Sequence, residues 1–560
     1  MGPGTTIGAA LTILGFFIAE GIFFIRASAP TYDEAMHLAA GYSYLAKRDF
    51  RLEPQNPPLI KELLALPLFL HRSFPFNPDV QHWRNGDGYS IGQDLLYRST
   101  LPADRILFLS RLPNLFLGGV LIALIGWWAY RVWGIHAAIL AMALAALEPN
   151  LIAHSSLITT DLGATLLIFL TVYFLWEYLN SPKWWLLAAT GISTGMTLAS
   201  KFSAILLIPM IVSIIGLSFV LGSEARFLPH LETYRRPRQK FLEVFILFLL
   251  ILFFTFFMIP LAYLFQGIQP WLLGLRRFLA LAEEGQLAFF LGEYSYQGWW
   301  SYFMVAFLIK TPVGTLILIA SSLIFCHAGS ALGRREAIFL LTPVMLVFVA
   351  LSQAKVNIGL RHILPVYPFL LVLASRLATV RFRRGWLAQF LIGVPVLSTA
   401  ISSFRIAPHQ LAYFNEFVGG PEQGYRYLSD SNLDWGQDLK GVKAYMDKEN
   451  LPIIYLSYFG TAPPSYYGIR YQYVPGAWPL EWPPPTDKVP DTAPRKVLAI
   501  SVYNLQDVST AYYPLFRWLW TRKPITKIGY SIFIYDLTDD HEGLTKLQET
   551  YVKAGITLLP

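Results

Sequence analysis

The stretch IGAALTILGFFIAEGIFFIRASAPTYDEAMHLAAGY, Ile7 to Tyr42, decides how this chain is read. From Ile7 to Ile25 it is apolar apart from Thr12 and Glu20. About 20 such residues cross a hydrocarbon core as a helix. Directly beyond the run stand two adjacent carboxylates, Asp33 and Glu34. Charge beside hydrocarbon is costly, so an ionisable pair there marks a functional site. Ala27-Ser28-Ala29 has the small-residue pattern of a cleavage site, but residues 1–6 carry no Lys or Arg. An uncleaved anchor is therefore expected.

The rest of the chain extends this pattern. Of its 560 residues, 54% are hydrophobic and 14% charged, and mean hydropathy is +0.45. A soluble domain carries roughly 25% charged residues. The reading is a polytopic α-helical membrane protein with about eleven spans: 7–26, 107–130, 134–149, 157–179, 184–200, 202–221, 241–265, 301–325, 336–352, 362–379 and 386–404. The net charge of +8 does not indicate nucleic acid, because many of the cations lie in short loops between apolar runs. Arg131, Lys183, Arg226, Arg235, Arg236, Arg238, Lys240, Arg334, Arg335, Arg381, Arg383 and Arg384 then share one side, expected to be the cytoplasm. The carboxylate pair and every large non-membrane segment face the other side. The single cysteine, Cys326, permits no intramolecular disulfide. With no Asn-x-Ser/Thr triplet, a bacterial plasma membrane is expected, with the site facing the periplasm or cell exterior.

Two domains follow: 1–404 in the membrane, with a first outer loop at 27–105, and 405–560 outside it. In the first loop Leu38, Tyr42 and Leu45 share a helical face, which predicts a helix along the membrane surface. Pro54, Pro57 and Pro58 interrupt regular helix around Asn56, and Lys61 opens the apolar stretch Leu63 to Leu70. Asp161 enters span four, where it either caps the helix or joins the acidic pair. Lys201, between two spans, either snorkels or adds a cation to the same face. Arg361 and His362 stand at the outer start of span ten. A carboxylate that takes a proton and cations that hold phosphate suit transfer of a group from a lipid phosphate.

At Asp33-Glu34, Asn56-Pro57-Pro58-Leu59 with Lys61, Thr159-Thr160-Asp161 and Arg361-His362-Ile363-Leu364-Pro365 the chain resembles the GT-C polyprenyl-phosphate-sugar-dependent glycosyltransferases. It looks closest to bacterial relatives of protein O-mannosyltransferases and aminoarabinose transferases. The resemblance covers about residues 1–405. It implies a membrane glycosyltransferase that inverts the anomeric carbon. The donor would be a sugar on a polyprenyl phosphate, and the acceptor a protein, lipid or glycan. Asp33 would be the general base, Glu34 would orient the site or contact the acceptor, and Asp161 would be the second acidic position. Lys201, Arg361 and His362, with Lys61 and Lys310 as further candidates, would face the donor phosphate, and His37 and Asn56 would touch sugar or acceptor. No cofactor is implied. The Asp/His set could hold a divalent metal, but the lack of a fixed ligand spacing argues against one.

Beyond residue 405 the sequence becomes less apolar. Ser429-Asp430-Ser431-Asn432-Leu433-Asp434-Trp435 combines amide, carboxylate and indole, a palette suited to sugars. Asn432, Asp434 and Trp435 are candidate contacts, although Asp434 equally reads as a helix N-cap. Strands at 453–459, 497–503 and 531–537, with helices at 435–449, 509–520 and 540–553, predict a small α/β unit with a mixed or parallel sheet. The alternative to an enzyme is a proton-coupled transporter or lipid flippase, which requires ionisable residues deep in several spans.

Overall fold

Every expected span contains helix in the computed structural model, which describes residues 3–71, 74, 78–221, 237–325, 332–380, 385–477 and 487–555. Five single helices are long and apolar enough to cross a membrane: Gly4–Ala27, Ala103–Trp133, Asp161–Asn180, Phe202–Leu221 and Phe241–Ala262. Two bent pairs raise the number to seven: Ile135–Ala146 with Pro149–Ser155, and Tyr302–Lys310 with Val313–Ile324. The chain is a multi-pass membrane protein. Helices at Trp184–Leu198, Arg334–Leu351, Val366–Ser375 and Gly385–Ile406 occupy the other expected positions.

The sharper bend, 112°, has a local cause. Proline disfavours helical backbone in the residue before it. Thr311, before Pro312, is extended at ψ 135°. The break leaves Lys310 buried inside the protein.

The sidedness read from the cations appears in part. Arg131 bonds Glu177 at 3.1 Å, Arg335 bonds Asn180 and the Leu179 carbonyl, and Arg334 bonds the Leu221 carbonyl at 2.8 Å. These contacts gather four helix ends at one end of the molecule. Arg226, Arg235, Arg236, Arg381, Arg383, Arg384 and Cys326 lie outside the described residues.

In the first loop the helix Glu34–Lys47 is covered by protein: residues Glu34 to Tyr44 are all buried, packed between helices Leu59–Phe69 and Gly88–Tyr97. Gly41 permits this, because a Cβ there would sit 2.2 Å from the Lys61 carbonyl oxygen.

Two short strands, β1 (Ala288–Phe290) and β2 (Glu293–Ser295), form an antiparallel pair. The C-terminal sheet contains β3 (Ile454–Ser457), β4 (Tyr471–Tyr473), β5 (Val497–Ser501), β6 (Thr526–Ile528) and β7 (Ile532–Asp536). Its order is β4-β3-β5-β7-β6. The β3 pairings are parallel and those of β7 antiparallel, so the sheet is mixed. Three strands match the expected runs, and β4 and β6 are additional edges. The helix expected at 509–520 is absent. Asp507 accepts the N–H groups of Leu515 and Phe516 at 2.8 and 3.0 Å, which draws the segment into a compact loop before the 3-10 turn Arg517–Thr521. The first helix begins at Leu439, after Asp438 rather than Asp434.

Candidate active site

The chain leaves the first span at Ala27 and turns at Thr31, whose N–H donates to Glu34 Oε2 at 2.7 Å. The same carboxylate takes a two-pronged bond from Arg111, Nε to Oε1 at 2.8 Å and Nη2 to Oε2 at 2.6 Å. Ile158 N–H adds a bond at 2.7 Å. Arg111 and Glu34 are completely buried. Burial disfavours the Glu34 anion, but Arg111 and the backbone donors outweigh it and hold the carboxyl below its ordinary value. This clamp ties the turn to the second span and to the entrance of span four, and so fixes Asp33 at the start of its helix.

Asp33 reaches the other way. Arg361 Nη1 donates to its Oδ2 at 3.0 Å and lies 4.0 Å from Asp161 Oδ2. Asp161 also pairs with Lys201. The Arg361 guanidinium lies over the Trp435 ring at 4.3 Å, a favourable cation–π contact. Acids and cations up to 328 positions apart thus meet at one place.

Arg361 lines two spaces. One is a cleft of about 450 Å³ whose walls include Asp33, His37, Tyr89, Asp430, Trp435 and Tyr503. The other is a narrower recess where Asp161, Lys201 and His362 meet the apolar side chains of Met210, Val347 and Leu351. His362 Nε2 is buried there and receives no partner among the described residues.

Behind the cleft, Glu53 is fully buried and collects His37 Nδ1 at 2.9 Å, Asn56 Nδ2 at 2.6 Å and Lys61 Nζ at 3.1 Å. Burial opposes its charge, yet His37 and Lys61 pull the carboxyl down to about 2. Burial also acts against the His37 cation, but Glu53 wins and raises that imidazole. Among the described residues no group of three or more His, Cys, Asp or Glu is placed to hold a metal ion.

Residues 9–268 match the family model described as dolichyl-phosphate-mannose-protein mannosyltransferase. The structure is similar to that of ArnT from Cupriavidus metallidurans bound to undecaprenyl phosphate. The TM-score is 0.51 at 12% identity, over 96% of this chain and 98% of that one. The protein has an ArnT-like GT-C fold. The apo form of the same ArnT gives a TM-score of 0.49 at 12% identity, over 95% of this chain and 98% of that one. Archaeal oligosaccharyltransferase AglB from Archaeoglobus fulgidus, in complex with an inhibitory peptide and a dolichol-phosphate, gives 0.42 at 13% identity, over 79% of this chain and 58% of that one. No curated protein matches.

Within this GT-C fold the candidates read from the sequence separate. Asp33, Asp161, Lys201, Arg361, His362, His37, Asn56 and Trp435 gather around the two spaces. Glu34 does not line either one. Lys61 is sequestered by Glu53, Tyr44 and the Asn56 carbonyl. Lys310 donates to the carbonyls of Leu411 and Asn432, which binds the C-terminal region to the broken span. Asn432 accepts Leu360 N–H at 2.9 Å and donates to Tyr302 at 2.9 Å. Asp434 accepts Tyr503 N–H at 2.9 Å. These last two are buried struts and do not line the cleft.

Sequence reasoning missed Glu53, Tyr89, Asp430 and Tyr503. Glu53 had a faint signal, as an acid beside the proline-broken Asn56 segment. Asp430 lay in the quoted sugar-like run. Tyr89 and Tyr503 had none, because only tertiary packing brings them to the cleft.

Proposed function

We propose that this protein transfers a sugar from a polyprenyl-phosphate donor to an acceptor hydroxyl, with inversion and with Asp33 as general base. The single observation that supports this most is the position of Arg361 between a polar cleft and an apolar-walled recess. Family match and fold support a polyprenyl-phosphate-dependent membrane glycosyltransferase. The ArnT relative was crystallised with undecaprenyl phosphate.

In this reading the donor phosphate sits at the recess, facing Lys201 and Arg361, with the unpartnered His362 Nε2 as a further hydrogen-bonding group. The first prenyl units run along Met210, Val347 and Leu351. The anomeric carbon then lies on the cleft side of Arg361, within reach of Asp33. Asp33 accepts the proton of the acceptor hydroxyl as that oxygen bonds the anomeric carbon. The bond to the phosphate oxygen breaks, and its electron pair leaves with the polyprenyl phosphate. Lys201 and Arg361 stabilise that growing negative charge. Asp161 holds Lys201 in place, and Glu34 positions Asp33 through its own buried clamp. The chemistry takes place on the non-cytoplasmic face of a bacterial plasma membrane, and residues 405–560 form the domain on that side.

Asp33→Asn in purified, folded protein tests the base. General-base catalysis is worth about 10²–10⁴-fold, so sugar transfer from a polyprenyl-phosphate sugar is expected to fall by that order while lipid-phosphate binding persists. Undiminished transfer removes Asp33 from the role.

A further inference from the structure

The reaction geometry leaves the acceptor side of the cleft to be explained. With the phosphate in the recess, an in-line attack with inversion comes from the opposite side, through the cleft. Much of that side is contributed by the C-terminal region. We propose that Asp430, Trp435, Phe459 and Tyr503 form an acceptor subsite for a saccharide ring, which rests on the donor-side reading given above.

The rings are arranged and held. Phe459 and Tyr503 stack with centroids 3.8 Å apart and planes 10° apart. Tyr32 continues the stack on Phe459 at 5.1 Å and 18°. Tyr503 N–H is fixed by buried Asp434 at 2.9 Å, and Phe459 N–H by Ser501 Oγ at 3.0 Å. Tyr32 N–H donates to the Trp435 carbonyl at 2.8 Å, so the wall is pinned to the segment that carries Asp33. Asp430 has a left-handed backbone, φ 55°, which non-glycine residues adopt at a cost. Its carboxyl lines the cleft and accepts Ser431 N–H at 2.6 Å. Burial, with a contribution from the neighbouring Asp33 charge, pushes that carboxyl up to about 7. Near neutrality it can donate to one hydroxyl or accept from another.

Phe459 has its faces covered by Tyr32 and Tyr503 and Trp435 lies under Arg361, so these two brace the wall, and the outer ring of the stack, Tyr503, and the Asp430 carboxyl are the groups that meet a sugar's C–H surface and hydroxyls. A peptide acceptor held by strand addition would need a free sheet edge. The edge strands β4 and β6 contribute no residue to the cleft. A volume of about 450 Å³ falls in the range of small-molecule sites, roughly 300–1,000 Å³.

The test uses the full chain in lipid nanodiscs with undecaprenyl phosphate. Saturation-transfer NMR is recorded with a panel of methyl hexopyranosides and, separately, a Ser/Thr-containing hexapeptide. Ring-proton transfer is expected for at least one glycoside. It should drop at least fivefold in Tyr503→Ala and in Asp430→Asn, persist in Tyr503→Phe, and leave undecaprenyl phosphate binding unchanged. Lys201→Ala should weaken the lipid phosphate and spare the glycoside signal. Peptide transfer without glycoside transfer, or a glycoside signal indifferent to Tyr503→Ala, overturns the subsite. Failure of lipid-phosphate binding in the parent protein instead overturns the donor reading alone.

Discussion

Asp33 and Glu34 are neighbours in sequence with opposite surroundings. Asp33 opens on the cleft, whereas both oxygens of Glu34 are consumed by Arg111, Thr31 and Ile158. Removing one partner of a buried pair leaves the other uncompensated, at about 3–5 kcal/mol. Glu34→Gln is therefore expected to destabilise by that order, read as a lower thermal midpoint in detergent. A midpoint equal to that of the parent would show that Arg111 is satisfied without it. Glu53 gives a pH signature. Its carboxyl lies below the ordinary 4.5, so its contribution is present above pH 4.5 and lost as pH falls towards about 2. His37 lies above the ordinary 6.5, so its contribution is present below 6.5 and lost as pH rises through the raised value. The stability gap between parent and Glu53→Gln should thus be widest between about pH 4.5 and 6.5 and narrow on both sides. A pH-independent gap in thermal midpoint would contradict the ion pair.

At the scale of elements, the helix Glu34–Lys47 carries the start of the site, and its depth depends on Gly41. Gly41→Ala would drive a methyl into the Lys61 carbonyl. Overpacking of this kind costs about 1–3 kcal/mol. Because Lys61 also bonds Glu53, which holds His37, the shift is expected to lower transfer activity as well as thermal stability. Stability loss with full activity would uncouple the two. The Thr311-Pro312 break has a comparable role. It turns a candidate cation of the sequence reading into an internal strut between Leu411 and Asn432.

At the scale of the whole molecule, the C-terminal region is part of the site. Ala29 N–H donates to the Gln437 carbonyl at 2.8 Å, Asn415 N–H to that of Ile309 at 2.8 Å, and Gln410 Nε2 to Glu20 Oε2 at 2.8 Å. Truncation after Ile406 is expected to abolish transfer and to lower the thermal midpoint of the membrane part, since it strips Trp435 from Arg361 and unpairs buried Lys310. Retained transfer by purified truncated protein would make the region dispensable. The chain by itself determined the class, the helical spans, three of the seven described strands and several of the acids and cations that meet around Arg361. Those signals are local: apolar length, alternation and charge beside hydrocarbon. It did not determine which polar groups line the cleft and recess. Glu34, Lys61, Lys310, Asn432 and Asp434 belong to the same residue types as the groups around the cleft, and only packing revealed their buried partners. Burial and distance across the fold decide whether a charge is spent on holding the protein together or left open to a substrate, and neither quantity is written in the order of residues.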